Sequence, residues 1–556
     1  MAARLSLLGL LACARSSLAA SCDPETFKDV ASDVFGVQAV EILAKEVTKW
    51  NEYETSFPAL PPLPIHPPPP VSFCNVTVLY THPGLNDTIR ATTWLPLKDW
   101  NHRFLGQGGG GWCAGHEGAL AYGVALGFAS VNTDSGHSYF GDLPQAALDS
   151  STWGLTSPGN TNLNSLCNFG YRSLDEMTVI GKRATEAFYG EPVTYSYWNG
   201  CSTGGRQGLV LAQRYPKHYQ GIISAAPAIN WVTFLVTEFW PQIVMKQQNY
   251  YPPTCELDAI TQAAIEECDG LDGVIDGIIA AHGQCRFNAD SVLGKEFECG
   301  KEKRKISKEA VEVAKATWQG PRLGDYPVWF GLAHEASLHG VEPMLRGLAS
   351  TDCDEKNQNC KGAPFAISAD WIKHWVLKDP SYDLSTIDEV MFYEILRDSR
   401  QQYHSFIDNA DADLHYFKAA GGKIIHWHGL ADQLIPSNGS LNYYQRVKAT
   451  VADVDDFYRY YEVPGVAHCA GGVGAIPVFA ITELMAWVET GQKPDMLEGI
   501  RTPGMAGAPG PQIKRNICPW PKVGKYKGGD ERLLSSYECA DEFGKAATKD
   551  KKHDEL

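Results

Sequence analysis

The stretch that decides the fold of this chain is Tyr197-Trp198-Asn199-Gly200-Cys201-Ser202-Thr203-Gly204-Gly205-Arg206-Gln207-Gly208. Its Gly-x-Ser-x-Gly pattern around Ser202 fits a nucleophile elbow, in which a serine occupies a sharp turn between a strand and a helix. Glycines are needed there because a side chain on either neighbour would clash with the following helix. Residues 193–198 predict the strand and 207–214 predict the helix. The alternative is an ordinary glycine-rich turn.

The composition is that of a globular protein with room for more than one domain. The chain has 556 residues, of which 44% are hydrophobic and 20% are charged. Its formal net charge of −17 argues against a nucleic-acid partner, which would require a basic face. The sequence leaves the oligomeric state open.

Both ends of the chain carry targeting signals. Residues 1–20 read as a signal peptide, with Arg4, an apolar run over 5–14 and a small-residue cleavage site. That run is too short to span a bilayer, and no other stretch has the length of a membrane helix. The charged tail over 541–556 ends in His553-Asp554-Glu555-Leu556, which matches the ER-retrieval signal. We therefore expect retention in the ER lumen by the retrieval receptor, with secretion as the alternative.

The cysteines predict disulfide bonds. Fifteen are present, and Cys13 lies in the signal peptide, which leaves an even number in an oxidising compartment. No Cys-x-x-Cys pair supports a zinc or thioredoxin-like site. The expected pairs are Cys22–Cys74, Cys268–Cys285 and Cys518–Cys539. The cysteines left unassigned here are Cys113, Cys167, Cys255, Cys299, Cys353 and Cys360.

Three glycosylation sequons begin at Asn75, Asn86 and Asn438, and each is usable only if it is exposed.

At the N-terminal end, apolar residues near helical spacing predict a helix over 21–54. A proline-rich connector over 58–70 follows. Alternating patterns then predict strands over 73–80 and 88–95.

A glycine-rich loop follows the predicted strand that ends near Gln107. Four successive glycines, 108–111, expose backbone N–H groups without side-chain cover, as an oxyanion hole requires. We expect the oxyanion to be held by the N–H groups of Gly109 or Gly110 and of Thr203. The alternatives are a flexible loop or a phosphate cradle, although no Gly-Lys-Ser/Thr follows, as a P-loop would require.

Two loops after later strands complete a catalytic constellation. Asp432 follows a predicted strand over 423–427, and His468 follows one over 458–463. The chain order Ser202, Asp432, His468 is that of α/β-hydrolases. In that arrangement the serine attacks an acyl carbon, the histidine takes and returns the proton, and the aspartate fixes the histidine tautomer. A lone Asp or His after a strand is more often a cap, but three in this order predict an α/β-hydrolase fold.

The alternation of strands and helices is lost over 231–396. This stretch predicts a large lid domain inserted into a catalytic domain formed by 21–230 and 397–540. Within the lid, Asp269, Asp272 and Asp276 lie in one short glycine-broken loop, and hard oxygen ligands at this spacing suit Ca²⁺. The alternative is an acidic surface turn, and the spacing is not that of an EF-hand.

The catalytic motifs resemble those of the tannase and feruloyl esterase family, over about Cys22 to Cys539. The resemblance implies a serine esterase with a lid that builds the substrate site. It also implies calcium at the lid loop, with the carbonyls of Val274 and Ile278 as additional ligands. The chain departs from the family pattern at Asp175, where the family has a histidine. The motifs that carry the resemblance are 196–208, Phe169-Gly170-Tyr171-Arg172-Ser173, Gln213-Arg214-Tyr215-Pro216 and Gly465-Val466-Ala467-His468-Cys469.

A fourth disulfide is expected between Cys201 and Cys469, which directly neighbour Ser202 and His468. If the serine and the histidine are within hydrogen-bond reach, their neighbours can approach to the ~5.5–6 Å Cα separation of a disulfide. The resemblance implies the same pair. The alternative is two buried thiols.

The function predicted from these features is hydrolysis of aromatic acyl esters, of feruloyl or galloyl type, through an acyl-enzyme. The substrate would be a small or glycan-linked ester. One alternative is an ER-lumenal hydrolase or acyltransferase for a small secondary metabolite. A second is a non-catalytic binding protein on a hydrolase scaffold, which the complete set of three catalytic positions disfavours.

Overall fold

A computed structural model describes residues 19–51, 69–137, 144–341, 345–503 and 510–541. Most of the predicted signal peptide, the greater part of the proline-rich connector and the tail with the retrieval signal lie outside these residues. Within them, no helix combines the length and the apolar character that a bilayer span requires.

A nine-stranded sheet forms the centre of the molecule. In chain order its strands, β1 to β9, are Gln38–Trp50, Val71–Thr81, Ile89–Pro96, Arg103–Gln107, Ala129–Thr133, Tyr195–Cys201, Gly221–Ala225, Lys423–Gly429 and Tyr458–Val463. Their order across the sheet is β1-β2-β3-β5-β4-β6-β7-β8-β9. The pairs from β1 to β5 are antiparallel, and those from β5 to β9 are parallel.

The parallel strands are apolar on both faces because helices cover both sides of the sheet. On one face Ile222 and Ile424 pack with Leu209 of the elbow helix. On the other face Ile223 and Ile425 pack with Leu484. The α-helices are Leu120–Ala125, Leu163–Cys167, Ser173–Tyr189, Thr203–Arg214, Trp231–Thr237, Trp240–Gln248, Thr254–Cys268, Lys308–Gln319, Ala366–Asp370, Glu389–Ile407, His415–Ala419, Ser437–Thr450 and Ala480–Thr490.

The described residues also form seven two-stranded ribbons, two π-helical turns and several short 3₁₀ turns. The π-helical turns are Asn168–Arg172 and Trp371–Val376. The ribbons pair Leu155–Ser157 with Asn160–Thr161, Glu296–Cys299 with Glu302–Lys305, Arg322–Leu323 with Tyr326–Pro327, Gly340–Val341 with Leu345–Arg346, Thr351–Asp352 with Lys361–Gly362, Leu497–Arg501 with Ile513–Ile517, and Lys522–Tyr526 with Tyr537–Asp541.

The predicted helix over 21–54 is wrong, because the described part of this segment holds no α-helix and its residues 38–50 form the edge strand β1. A short 3₁₀ turn, Pro24–Phe27, precedes the strand. The apolar residues that suggested a helical face do not share a buried face, since Val40 is 60% exposed and Leu43 is 48% exposed. Antiparallel pairing with β2 supplies the backbone hydrogen bonds, so tertiary pairing outweighs the helical spacing.

The inserted segment has a core of its own and a second core that it shares with the rest of the chain. The helices Thr254–Cys268 and Lys308–Gln319 pack together in the first. The second is rich in tryptophan and joins Trp112 to Trp231 and Trp371. The limit predicted after residue 396 falls inside the helix Glu389–Ile407, which packs on Trp231–Thr237. The inserted segment is therefore continuous with the catalytic part through the helix Glu389–Ile407, which crosses the predicted limit.

Candidate active site

The backbone at Ser202 has the conformation of a nucleophile elbow. Its φ of 59° and ψ of −123° lie in a strained region for an L-residue, at the junction of β6 and the helix Thr203–Arg214. The Ser202 N–H donates to the carbonyl of Ala225 at 3.0 Å, and its carbonyl accepts from the N–H of Ala228 at 3.1 Å. These bonds to the neighbouring strand and its loop hold the turn and expose the hydroxyl.

The glycines around Ser202 are required by close backbone contacts, as the sequence predicts. A Cβ on Gly200 would lie 2.4 Å from the backbone of Gly204. A Cβ on Gly108, in the glycine-rich loop, would lie 2.4 Å from the Cα of Gly204. The elbow and the glycine-rich loop therefore pack together through backbone atoms of Gly108 and Gly204, with no side chain between them.

Asp432 and His468 meet at the ends of β8 and β9. His468 Nδ1 lies 2.8 Å from Asp432 Oδ2, and both side chains are buried. Asp432 Oδ1 accepts the backbone N–H groups of Leu434 and Ile435, each at 2.9 Å. The other imidazole nitrogen, Nε2, is the atom that can accept the proton of a serine.

Ser202 has no hydrogen-bond partner for its hydroxyl among the described residues, so its bond to His468 is not formed in this structure. Catalytic hydrogen bonds are often long without substrate and tighten in the complex. The disulfide between Cys201 and Cys469 nonetheless brings the two chain segments together, with a Cα separation of 5.9 Å.

A second imidazole, which sequence reasoning missed, also contacts Asp432. His428 Nε2 lies 3.0 Å from Asp432 Oδ2, and His428 Nδ1 lies 2.8 Å from the hydroxyl of Ser440. Burial alone would raise the pKa of Asp432, but the imidazoles of His468 and His428 lower that pKa well below its usual range. Asp432 is therefore ionised, as the orienting carboxylate of a triad must be.

Two other buried side chains near the triad carried no sequence signal. The Gln433 side chain accepts the backbone N–H of His468 at 3.1 Å, which fixes the histidine loop. Glu238 is only 2% exposed, and neither of its carboxyl oxygens has a hydrogen-bond partner in the described part of the chain. Burial, followed by the negative charge of Asp432, raises the pKa of Glu238 well above its usual range. Burial and the negative charge of Asp432 therefore both favour the neutral form of Glu238.

The predicted oxyanion donors in the glycine-rich loop need correction. The Gly109 N–H donates to the Gln207 side chain at 3.1 Å, and the Gly110 N–H donates to the Cys113 carbonyl at 3.1 Å. Of the backbone N–H groups of residues 108–111 and Thr203, those of Gly111 and Thr203 are the two without a hydrogen-bond acceptor among the described residues. The Thr203 hydroxyl donates to the Gly111 carbonyl at 2.6 Å, so these two residues are direct neighbours. The sequence could not distinguish among four consecutive glycines.

All four expected disulfides are present, namely Cys201–Cys469, Cys22–Cys74, Cys268–Cys285 and Cys518–Cys539. Two more bonds, Cys255–Cys299 and Cys353–Cys360, pair cysteines that the sequence left unassigned. Both lie in the inserted segment, where chain spacing gave no guide to pairing. Six disulfides are typical of a protein of the oxidising secretory pathway.

The lid loop combines acidic ligands with a basic neighbour. Asp269 accepts the N–H groups of Asp276 and Gly277 at 3.1 and 2.9 Å. The Arg515 guanidinium donates to Asp276 Oδ2, whereas Asp276 Oδ1 is buried without a partner in the described residues. Burial raises the pKa of Asp272 to about 6. An unsatisfied oxygen and three carboxylates that are buried (Asp269) or half-buried (Asp272 and Asp276) fit a hard cation such as Ca²⁺.

The three loop carboxylates are not drawn together around one point. Within the described residues, the group of ligand side chains gathered within 4.8 Å is Asp149, Asp370 and His374. Asp370 is already satisfied there, because its oxygens accept the backbone N–H and the hydroxyl of Ser150 at 3.1 and 2.5 Å. The expectation of a calcium site in the lid loop therefore rests on the family resemblance and not on the spacing of the three carboxylates in this structure.

The three sequons differ in exposure. Asn86 and Asn438 are exposed, whereas Asn75 is half-buried, with its amide 3.5 Å from Glu117.

At the position where the chain departs from the family pattern, Asp175 contacts His218 at 2.5 Å. The carboxylate of Asp175 therefore pairs with an imidazole that is not part of the Asp432–His468 pair.

The fold and this site define a class of protein. A mixed sheet whose parallel half has helices on both faces, a strained serine after β6, and an Asp–His pair after β8 and β9 are the features of an α/β-hydrolase with a serine nucleophile. The predicted fold class is confirmed by the comparisons that follow.

The chain belongs to the tannase and feruloyl esterase family, whose profile matches residues 74–540. A probable feruloyl esterase of Arthroderma benhamiae is 38% identical over 492 residues, which cover 87% of this chain and 88% of the relative. A tannase of Aspergillus oryzae is 29% identical over 521 residues, covering 84% and 85%. The resemblance proposed from the sequence is confirmed, and the chain is a carboxylic ester hydrolase.

Solved structures agree with this assignment. The tannin acyl hydrolase from Aspergillus niger superposes with a TM-score of 0.81 at 26% identity, covering 93% of this chain and 95% of that chain. Both the catalytic part and the inserted segment therefore have counterparts in a known hydrolase.

We predict that the Cys201→Ala/Cys469→Ala double variant folds but loses turnover. The bond tethers the histidine loop to the elbow, and misplacement of a base by about 1 Å can cost about 100-fold in rate. Steady-state kinetics with p-nitrophenyl acetate and thermal unfolding measure both effects. We expect kcat to fall at least about 10-fold, while five disulfides keep the protein folded.

The matched control is Cys353→Ala/Cys360→Ala, which removes a bond within a lid ribbon that spans only seven residues. It should leave kcat near that of the wild type. Full turnover in the Cys201/Cys469 variant would contradict a positioning role for that bond.

Proposed function

We propose that Ser202, His468 and Asp432 form the catalytic triad of this ester hydrolase. The observation that carries the proposal is the strained backbone of Ser202, joined by a disulfide to the loop whose histidine lies 2.8 Å from a buried carboxylate. An ordinary glycine-rich turn would not need the strained serine, the disulfide and the histidine–carboxylate pair together. The complete triad also weighs against a non-catalytic binding protein.

The reaction follows from these positions. His468 Nε2 accepts the proton of Ser202 while the serine oxygen attacks the acyl carbon of the ester. Asp432 holds the Nδ1 proton and stabilises the imidazolium that forms. The same histidine then protonates the leaving alcohol, and it activates the water that releases the acid from the acyl-enzyme.

The N–H groups of Thr203 and Gly111 are proposed as the oxyanion donors. Both are backbone groups without another partner among the described residues, and the bond from Thr203 to Gly111 holds them side by side. Preorganised donors of this kind cost no reorganisation when charge develops on the carbonyl oxygen.

The proposed substrates are esters of aromatic acids. The named activities of the relatives, feruloyl esterase and tannase, concern such esters, and the chain aligns with them over most of its length. An aromatic acyl group would bind where the inserted segment faces the triad. The half-buried Trp329 of that segment lies beside Gly439, seven residues after Asp432, where an added Cβ would come within 3.3 Å of the indole ring.

Substitution of the triad tests this proposal. Ser202→Ala and His468→Ala should each abolish most turnover of methyl ferulate, methyl gallate and p-nitrophenyl acetate, because the residues act as one unit. Asp432→Asn should lower kcat on the order of 10⁴-fold through the wrong histidine tautomer. His415→Ala, at an exposed histidine, serves as the control. Wild-type hydrolysis by Ser202→Ala would refute the nucleophile assignment.

We also propose a structural Ca²⁺ in the lid, held by Asp269, Asp272 and Asp276 with the carbonyls of Val274 and Ile278. The unsatisfied Asp276 oxygen supports this assignment. When bound, the ion would neutralise the buried carboxylates and stabilise the loop. The competing possibility is that Arg515 already neutralises the loop.

Chelation distinguishes these possibilities. If the ion is bound, exhaustive chelation should lower the melting temperature, added Ca²⁺ should restore it, and Asp272→Asn should abolish the difference. Asp290→Asn, at an exposed lid aspartate, should behave as the wild type. An unchanged melting temperature after chelation would count against the ion and favour Arg515.

For localisation, we propose retention in the ER lumen through residues 553–556, with glycans on the exposed Asn86 and Asn438. Deletion of the tetrapeptide should move the protein from cell extracts into the medium, because the retrieval receptor reads a free C-terminal signal. Immunoblots of both fractions measure the shift. Equal secretion with and without the tetrapeptide would mean that the receptor does not read the tail.

A further inference from the structure

One lid residue reaches the loop that carries the catalytic histidine. Glu335 is 8% exposed and lies in the inserted segment, far from Ser202 and His468 in the sequence. Its Oε1 accepts the backbone N–H of Gly465 at 3.0 Å, and its Oε2 accepts the backbone N–H of Ile279 at 2.9 Å. A single carboxylate therefore joins the first residues of the histidine loop to the end of the acidic lid loop.

The contact point at Gly465 is closely packed. Gly465 has a φ of 70°, and a Cβ there would lie 2.9 Å from Ile278 Cγ1 and 2.9 Å from the N of Gly474. Its carbonyl accepts the Gly474 N–H at 2.8 Å. The lid thus contacts the base of the histidine loop directly, three residues before His468.

The histidine loop is also held by bonds from the catalytic domain. Beyond the end of β9, its ties include the Gln433 side chain on the His468 N–H, the Cys201–Cys469 bond, and the Ala431 N–H on the Val466 carbonyl at 3.0 Å. Those ties come from the catalytic domain. Glu335 provides a tie from the lid side, and it holds the loop at its opposite end from the disulfide.

We infer that Glu335 is a positioning residue for the reaction, which fastens the His468 loop to the lid and so sets the base against Ser202. This inference rests on the proposed triad. Two backbone N–H donors require two acceptor oxygens, and a carboxylate supplies both. A glutamine supplies one oxygen and turns an NH₂ group toward the other N–H, so it breaks one of the two bonds.

This geometry predicts a graded series of variants. Glu335→Gln should lower kcat about 3-fold to 10-fold, and Glu335→Ala about 10-fold to 100-fold, because loop displacement lowers the rate without removing a substrate contact. KM should stay within about twofold of the wild type. A residue with only a structural role would lower the fraction of active enzyme and leave kcat per folded site unchanged.

A second measurement separates base positioning from substrate binding. Diethyl p-nitrophenyl phosphate phosphorylates a serine nucleophile and releases p-nitrophenolate, which reports both the rate and the number of reactive sites. The rate per site should fall in the same order and by similar factors as kcat, while thermal unfolding reports stability. Glu296→Gln, at an exposed glutamate on a lid ribbon, is the matched control and should match the wild type.

The outcomes are distinct. Wild-type kcat and phosphorylation rate per site in both Glu335 variants would overturn the inference and leave the triad intact. Phosphorylation of Ser202→Ala at the wild-type rate would instead overturn the proposed triad. If Glu335→Ala fails to fold, Glu335→Gln still decides, since it retains one hydrogen bond and the side-chain volume.

Discussion

The strained backbone of Ser202 is the constraint on which the rest of this structure depends. A conformation of this kind costs on the order of 1–3 kcal/mol and persists only where the surroundings fix it. Here the surroundings are the neighbouring strand, which accepts the Ser202 N–H, and Gly108 and Gly204, which allow two backbones to touch. The sheet, the helix and the glycine-rich loop all converge on this turn.

Near that turn, two buried carboxyl groups, those of Asp432 and Glu238, have opposite shifts of pKa. Asp432 keeps its negative charge because two imidazoles contact it, whereas burial raises the pKa of the nearby Glu238, whose carboxyl oxygens have no hydrogen-bond partner among the described residues. Each of these carboxyl groups disfavours a second negative charge beside it, because like charges in a buried site repel. The arrangement therefore favours a single carboxylate, Asp432, beside the catalytic histidine.

The sequence predicted the features that follow from local chemistry. The elbow, the strand ends that carry Asp432 and His468, and the fold class rest on patterns of a few residues. The prediction failed where partners distant in the chain decide the outcome. The segment from Gln38 to Trp50 is a strand because β2 lies beside it, and Gly109 donates to Gln207, which lies 98 residues further along the chain. His428, Gln433 and Glu335 share this property, since each matters only through what it contacts in three dimensions.

The Cys201–Cys469 bond has a consequence for where this enzyme can work. The bond joins the chain neighbours of Ser202 and His468, and all of the inserted segment lies within the 268 residues that it closes. A copy of the chain that stays in a reducing cytosol lacks this tether, although its amino-acid sequence is complete. The bond that positions the base can therefore form only after the chain enters the oxidising secretory pathway. By the prediction made for the Cys201→Ala/Cys469→Ala variant, a chain that never leaves the cytosol would hydrolyse the esters there more slowly, because this bond does not hold its nucleophile and base together.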